Sequence, residues 1–200
     1  ETLPGTTATD TLTVLPPPQT PSIFKLFDPN PLLDPAGSSR LTFRITNNDP
    51  TVAIASVAFT DVLPTVGGVQ MVAATPFSYL NNGNCGVAHS FTWDGTSFTL
   101  SFSGGAIPAG AVCELSTLVR VPGVDVSGGA VLFPNQTSQV SHVFNGTTYY
   151  GNEAKATLLV DQPIPKIDLL KEVGLTNNPD DTWFKYLVVT PGTPIYYKIT

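Results

Sequence analysis

Leu41-Thr42-Phe43-Arg44-Ile45-Thr46 alternates apolar and polar side chains and runs directly into Asn47-Asn48-Asp49-Pro50. A period of two puts Leu41, Phe43 and Ile45 on one face of an extended strand, and the Asn-Asn-Asp-Pro cluster supplies a tight reversal. A β-branched run at Val52–Thr60 follows. The same reading extends along the chain, to Phe98–Phe102, Cys113–Val121, Gln139–Phe144 and Ala154–Val160, with Asn81-Asn82-Gly83-Asn84, Asp94-Gly95 and Pro108-Ala109-Gly110 as turns between them. No helical stripe of comparable length appears. The expected fold is all-β, an immunoglobulin-like Greek-key β-sandwich.

Composition agrees with strands. Of 200 residues, 42% are hydrophobic and only 12% charged, with Thr, Val, Gly and Pro taking the place of helix formers. A net charge of −6 argues against nucleic acid, which needs clustered Lys and Arg. No apolar run reaches the roughly 20 residues that span a bilayer, so no membrane insertion is expected of this segment, and the first residues do not read as a signal peptide.

An internal repeat sets the organisation. Gly5–Val14 reads like Gly151–Val160, and Ser22–Phe27 like Asp168–Val173, both at an offset of 146 residues that brings Lys25 onto Lys171. Arg40–Thr46 resembles Pro194–Thr200 at an offset of 154, so the second copy carries extra residues in a loop, where insertions are tolerated. The chain therefore divides into residues 1–15, the last strand of a preceding repeat; a Pro-rich linker at 16–20; a complete sandwich at 21–160; a second linker at 161–166; and the first strands of a following repeat at 167–200. Repeats in tandem are expected, with neighbouring repeats or subunits of the same protein as partners for the incomplete ends.

Cys85 and Cys113 are separated by what reads as two strands and a turn. A disulfide closing that region is favoured in a chain so poor in charge; two small buried thiols in a reduced protein are the alternative. Neither cysteine has a CxxC neighbour, and the histidines are only His89 and His142, so no metal site is read here.

Several of these stretches resemble a known family. Pro21-Ser22-Ile23-Phe24-Lys25, Leu41–Asn47, Val57–Pro64, Cys85, Ile107–Cys113 and Gly151–Leu158 look like the bacterial conserved-repeat domain, the group catalogued as domain of unknown function eleven and its relatives. That resemblance implies immunoglobulin-like repeats strung along large extracellular or cell-surface proteins, serving as spacers in adhesins or fibres. It implies no reaction.

Catalytic chemistry finds no support in the motifs. Ser141 and His142 are adjacent, so a strand would send them to opposite faces, and no HExxH, G-x-S-x-G or phosphate-binding glycine loop occurs. Asp28, Asp34, Asp180 and Asp181 lie in Pro- and Asn-rich segments where turn capping accounts for them. Calcium is the one cation that oxygen-rich inter-repeat loops would suit, although no EF-hand spacing is present. Asn135-Gln136-Thr137 and Asn145-Gly146-Thr147 fit the glycosylation pattern, and as turn asparagines beside a strand they need no sugar. Trp93, Tyr149, Tyr150 and Trp183 would serve as core packing or as a platform for surface glycans.

A sharper trio is Lys25, Asp61 and Asn152. Sandwiches of surface proteins related by this resemblance can carry a spontaneous isopeptide bond between a first-strand Lys and a last-strand Asn, helped by an acid on a middle strand; burial would keep the amine neutral and nucleophilic. Thr6 replaces Asn152 in the preceding repeat, so the trio is not demanded by the architecture. The expected role is a structural spacer or stalk of a secreted or cell-surface fibre or adhesin. A carbohydrate- or receptor-binding module using loops 75–91 and 145–150 is the alternative.

Overall fold

The computed structural model describes residues 17–162, 171–175, 178, 182–185 and 188–199. The chain separates into two units, Glu1–Pro163 and Ile164–Thr200. Residues 1–15, assigned above to a preceding repeat, lie outside the described residues, as do position 16 of the first linker, Asp180 and Asp181.

The described residues of the first unit hold fourteen strands: β1 (Ser22–Asp28), β2 (Ser39–Thr46), β3 (Ile54–Val62), β4 (Thr65–Val66), β5 (Val69–Gln70), β6 (Val72–Ala73), β7 (Tyr79–Asn81), β8 (Ser90–Asp94), β9 (Thr99–Ile107), β10 (Val112–Arg120), β11 (Val131–Gln136), β12 (Ser141–Phe144), β13 (Thr147–Tyr150) and β14 (Lys155–Val160). One sheet runs β1-β2-β10, with β6 and β7 both on the far side of β10; the other runs β13-β12-β3-β9-β8. The pair β11-β14 continues the second sheet past the end of β12, through an antiparallel bridge between Asp61 and Thr137. All named ladders are antiparallel. The fold is thus an all-β sandwich, as the alternation predicts.

The period of two fills the space between the sheets. Leu41, Phe43 and Ile45 of β2 are fully buried and face Phe59, Phe91 and Phe102; the Phe43 and Phe59 rings lie 4.9 Å apart, and Phe59 and Phe102 5.6 Å. Burying each such ring contributes about 1.5–3 kcal/mol. The Asn47 to Pro50 reversal is held by side chains. Asn47 Nδ2 donates to the carbonyls of Val52, Ile107 and Pro108, and Asp49 Oδ1 accepts from the Thr51 and Val52 amides. Those amide donors favour the ionised form and hold the Asp49 carboxyl down at about 2.

The strand that opens the sandwich lies beside the one that closes it. Asn152 Oδ1 accepts from the Ile23 amide at 2.8 Å, and its Nδ2 donates to the Ile23 carbonyl at 2.8 Å. Nine residues on from Ile23, Leu32 N–H donates to Leu159 O and Asp161 N–H to Leu32 O, a parallel bridge. Just before the first of these ties Gly151 comes so close to Pro21 that an added Cβ would sit 1.8 Å from its carbonyl oxygen. Gly151→Ala must therefore push β1 away from the closing segment. Overpacking of this kind costs about 1–3 kcal/mol, read as a lower urea midpoint, whereas Gly146→Ala, with open space around it, tests only backbone preference at a positive φ of 76°.

In the second unit β15 (Lys171–Gly174) and β16 (Tyr196–Ile199) form an antiparallel ladder, and Val173 exchanges backbone bonds with Phe184.

Candidate functional site

β1 alternates inward Ile23, Lys25 and Phe27 with outward Phe24 and Asp28. A lysine thus occupies a core position, only 1% exposed. It sits across from Phe43 in the β1–β2 register, with Nζ 5.7 Å from that ring's centre. Two residues of the facing sheet reach it. Asp61 is the last inward residue of β3 and is wholly buried; Asn135 is the inward residue after Phe133 on β11 and is 5% exposed.

Lys25 Nζ donates to Asp61 Oδ1 at 2.9 Å and also to Asn135 Oδ1. Asn135 Nδ2 donates to the same Asp61 Oδ1 at 3.0 Å and to the Val62 carbonyl at 2.9 Å. Asp61 Oδ1 therefore touches both nitrogens, while its Oδ2 has no hydrogen-bond partner. Burial dominates the electrostatics: it lowers the Lys25 pKa and raises that of Asp61, and their mutual attraction opposes both shifts. Both shifts favour the neutral amine and the protonated carboxyl. Chemically, the arrangement is an amine held against a carboxamide, with a carboxyl bridging the nitrogen of each.

The expected trio is corrected in one member. Lys25 and Asp61 meet, but Asn152 spends its side chain on the Ile23 backbone and on the Glu153 carbonyl; Asn135 takes the third place. The difference between Asn152 and Thr6 in the repeat comparison thus bears on an edge contact. Asn135 is also corrected as a glycosylation candidate, because its amide is buried and bonded on both atoms. Asn145 lies in the exposed β12–β13 turn at a φ of 48°, followed by Gly146, a left-handed pair suited to a two-residue hairpin.

Cys85 and Cys113 form a disulfide, both sulfurs in the core. Among the described residues no three His, Cys, Asp or Glu side chains gather to hold a metal ion; Asp34 caps its own turn through Ala36 N–H, and Asp28 pairs with Arg40 in the β1–β2 register. The aromatic candidates do not converge. Trp93 is on β8 and Tyr149 and Tyr150 on β13, at opposite edges of one sheet, and Tyr149 stacks on His142 at 5.4 Å. His142 is buried with both ring nitrogens unpartnered, and burial lowers its pKa. Ser141 Oγ instead bonds the Ala58 carbonyl.

Comparison with curated protein sequences finds no relative. Among solved structures, one described as the crystal structure of the RrgA Jo.In complex aligns with a TM-score of 0.45 at 9% identity, over 71% of this chain and 79% of that one. A family model described as a domain of unknown function, DUF7933, matches residues 21–160, the full span of the sandwich, and the chain belongs to that family.

Proposed function

We propose that residues 21–160 are a load-bearing structural module, not an enzyme, of a secreted or cell-surface protein. In this reading tandem sandwiches of the conserved-repeat type, joined by short Pro-rich connectors, make a semi-stiff rod. Its partners are neighbouring repeats or subunits of the same protein.

The observation that carries the reading is the placement of the terminal strands. The chain enters at Pro21 beside Gly151 and leaves at Val160 beside Leu32, so β1 and β14 run parallel with their outer ends at opposite ends of the sandwich. Tension between the ends loads these strands in shear. All their ties are strained at once, whereas a peeling geometry breaks them one after another.

Force spectroscopy tests this. Pulled between Gln19 and Asp161, the chain is expected to yield at several times the force needed between Gln19 and Asn48. The second pair of handles unzips β1 from β2, because Ser22 lies opposite Thr46. Equal forces along both axes would remove the mechanical reading.

A further inference from the structure

Lys25, Asp61 and Asn135 form a closed polar cluster inside an apolar core, and a salt bridge is a poor use of such a place. Desolvating two ions there costs several kcal/mol each, and well-packed apolar residues would do as well or better. What the cluster offers that leucines cannot is chemistry: a nucleophile, an acyl carbon and a proton carrier, already in contact and shielded from water.

We infer that Lys25 and Asn135 join in an isopeptide bond, formed within the folded chain with Asp61 as the acid and base. The step balances without any co-reactant. Asp61 first takes a proton from the Lys25 ammonium, leaving a neutral amine and a carboxylic acid. That transfer leaves the pair's proton count unchanged, so no change of pH is needed. Nζ then attacks Cγ of Asn135. Asp61 Oδ1, 3.0 Å from Nδ2, protonates the departing nitrogen, while the Val62 carbonyl holds it at 2.9 Å. The Cγ–Nδ2 bond breaks, ammonia leaves, and Asp61 collects the second proton from Nζ. The product is a secondary amide beside a protonated Asp61. Its two hydrogen-bonding groups are neutral, as the burial of the site favours.

The bond would tie β1 to β11 across the sandwich and close a loop spanning the 110 positions between its ends. It stands apart from the mechanical reading, since a bond can form in a module that bears no load. Intact mass of the reduced, purified chain is the test. The expected mass is about 17 Da below that of the sequence, one ammonia lost for one new amide, and digestion should yield the Lys25 peptide joined to the Asn135 peptide, with no tryptic cut after Lys25.

Lys25→Met keeps an unbranched apolar stem in the core and should restore the full mass. Asn152→Ala should retain the loss, since Asn152 lies outside the cluster. A folded wild-type chain of unmodified mass would overturn the inference. So would a loss that persists in Lys25→Met, which would assign it to succinimide at Asn82-Gly83 or Asn145-Gly146. A second readout needs no mass spectrometer. Of the 110 bridged positions, the 28 inside the disulfide are locked in both chains, so the wild-type unfolding step should be shorter than that of Lys25→Met by about 280 Å.

Discussion

Asp61→Ala is expected to be the most damaging single substitution in residues 21–160, and more damaging than Lys25→Met at the same site. Both variants abolish the cross-link and so free a loop of 110 positions; by chain-entropy arguments a closed loop of that size is worth about 4.7 kcal/mol. The rest of their effect differs in kind. Lys25→Met leaves a carboxyl whose pKa burial already raises, so Asp61 becomes a neutral acid able to bond Asn135. Asp61→Ala leaves the Lys25 amine buried with only the Asn135 carbonyl as partner, and an unpaired charge in a core costs about 3–5 kcal/mol more. The total is comparable to the whole stability of a domain this size.

The pH dependence of that variant carries the same signature. Desolvation is the largest influence on Lys25 and lowers its pKa; in the native cluster Asp61 opposes the shift. Without Asp61 the folded-state value falls further below the unfolded value of about 10.4. Between the two values the unfolded chain binds more protons, so folding stability must rise with pH throughout that window. Urea titrations at pH 7 and pH 9.5 should show Asp61→Ala gaining stability at the higher pH, while Lys25→Met lacks this rise. Equal urea midpoints for the two variants would mean that the cluster is not organised around a buried amine.

Most of the sandwich is readable in the chain because its strands keep their period. Leu41, Phe43 and Ile45 alternate on β2, and their partners on β9 and β10 do the same. β11 was the exception. Pro134 and Asn135 look like turn residues, yet Val131, Phe133, Asn135 and Thr137 follow one another at the inward spacing of a strand, and Pro134 lies outward and exposed. A proline that needs no ladder bond is compatible with a strand position. Reading the period through it would have placed Asn135 in the core beside Phe133.

Choosing Asn152 instead followed from its place at the start of the last strand, which is a topological argument. The side-chain direction, not the strand's rank, decides which asparagine meets Lys25. The lysine was easier to find, because Ile23-Phe24-Lys25-Leu26-Phe27 puts a charge where the period calls for an apolar residue. The short ladders β4 to β7 have too few residues for any period to show.

The cysteine pair is expected to give the next largest effect after the two variants of the buried cluster. Cys113 lies on β10 of one sheet, and Cys85 is held to the other by the Ala106 amide on β9, which donates to the Cys85 carbonyl. The disulfide therefore staples the sheets at the edge away from Lys25. Gly86 follows at a φ of 85°, and an added Cβ there would lie 2.8 Å from the Ala106 side chain, so the backbone itself is shaped for this approach. Closing 28 residues of separation removes about 3–4 kcal/mol of unfolded-chain entropy.

That loop is nested wholly inside the one that a Lys25–Asn135 bond would close, and the outer bond leaves the inner 28 residues as free in the unfolded chain as before. The two contributions should therefore add. Cys85→Ser with Cys113→Ser should lower the melting temperature by roughly 10–15 °C, by the same amount in the wild-type background and with Lys25→Met. A drop seen in one background alone would show that the cross-links share an unfolding unit. Full alkylation of both thiols in the native, unreduced chain would show that the staple is absent.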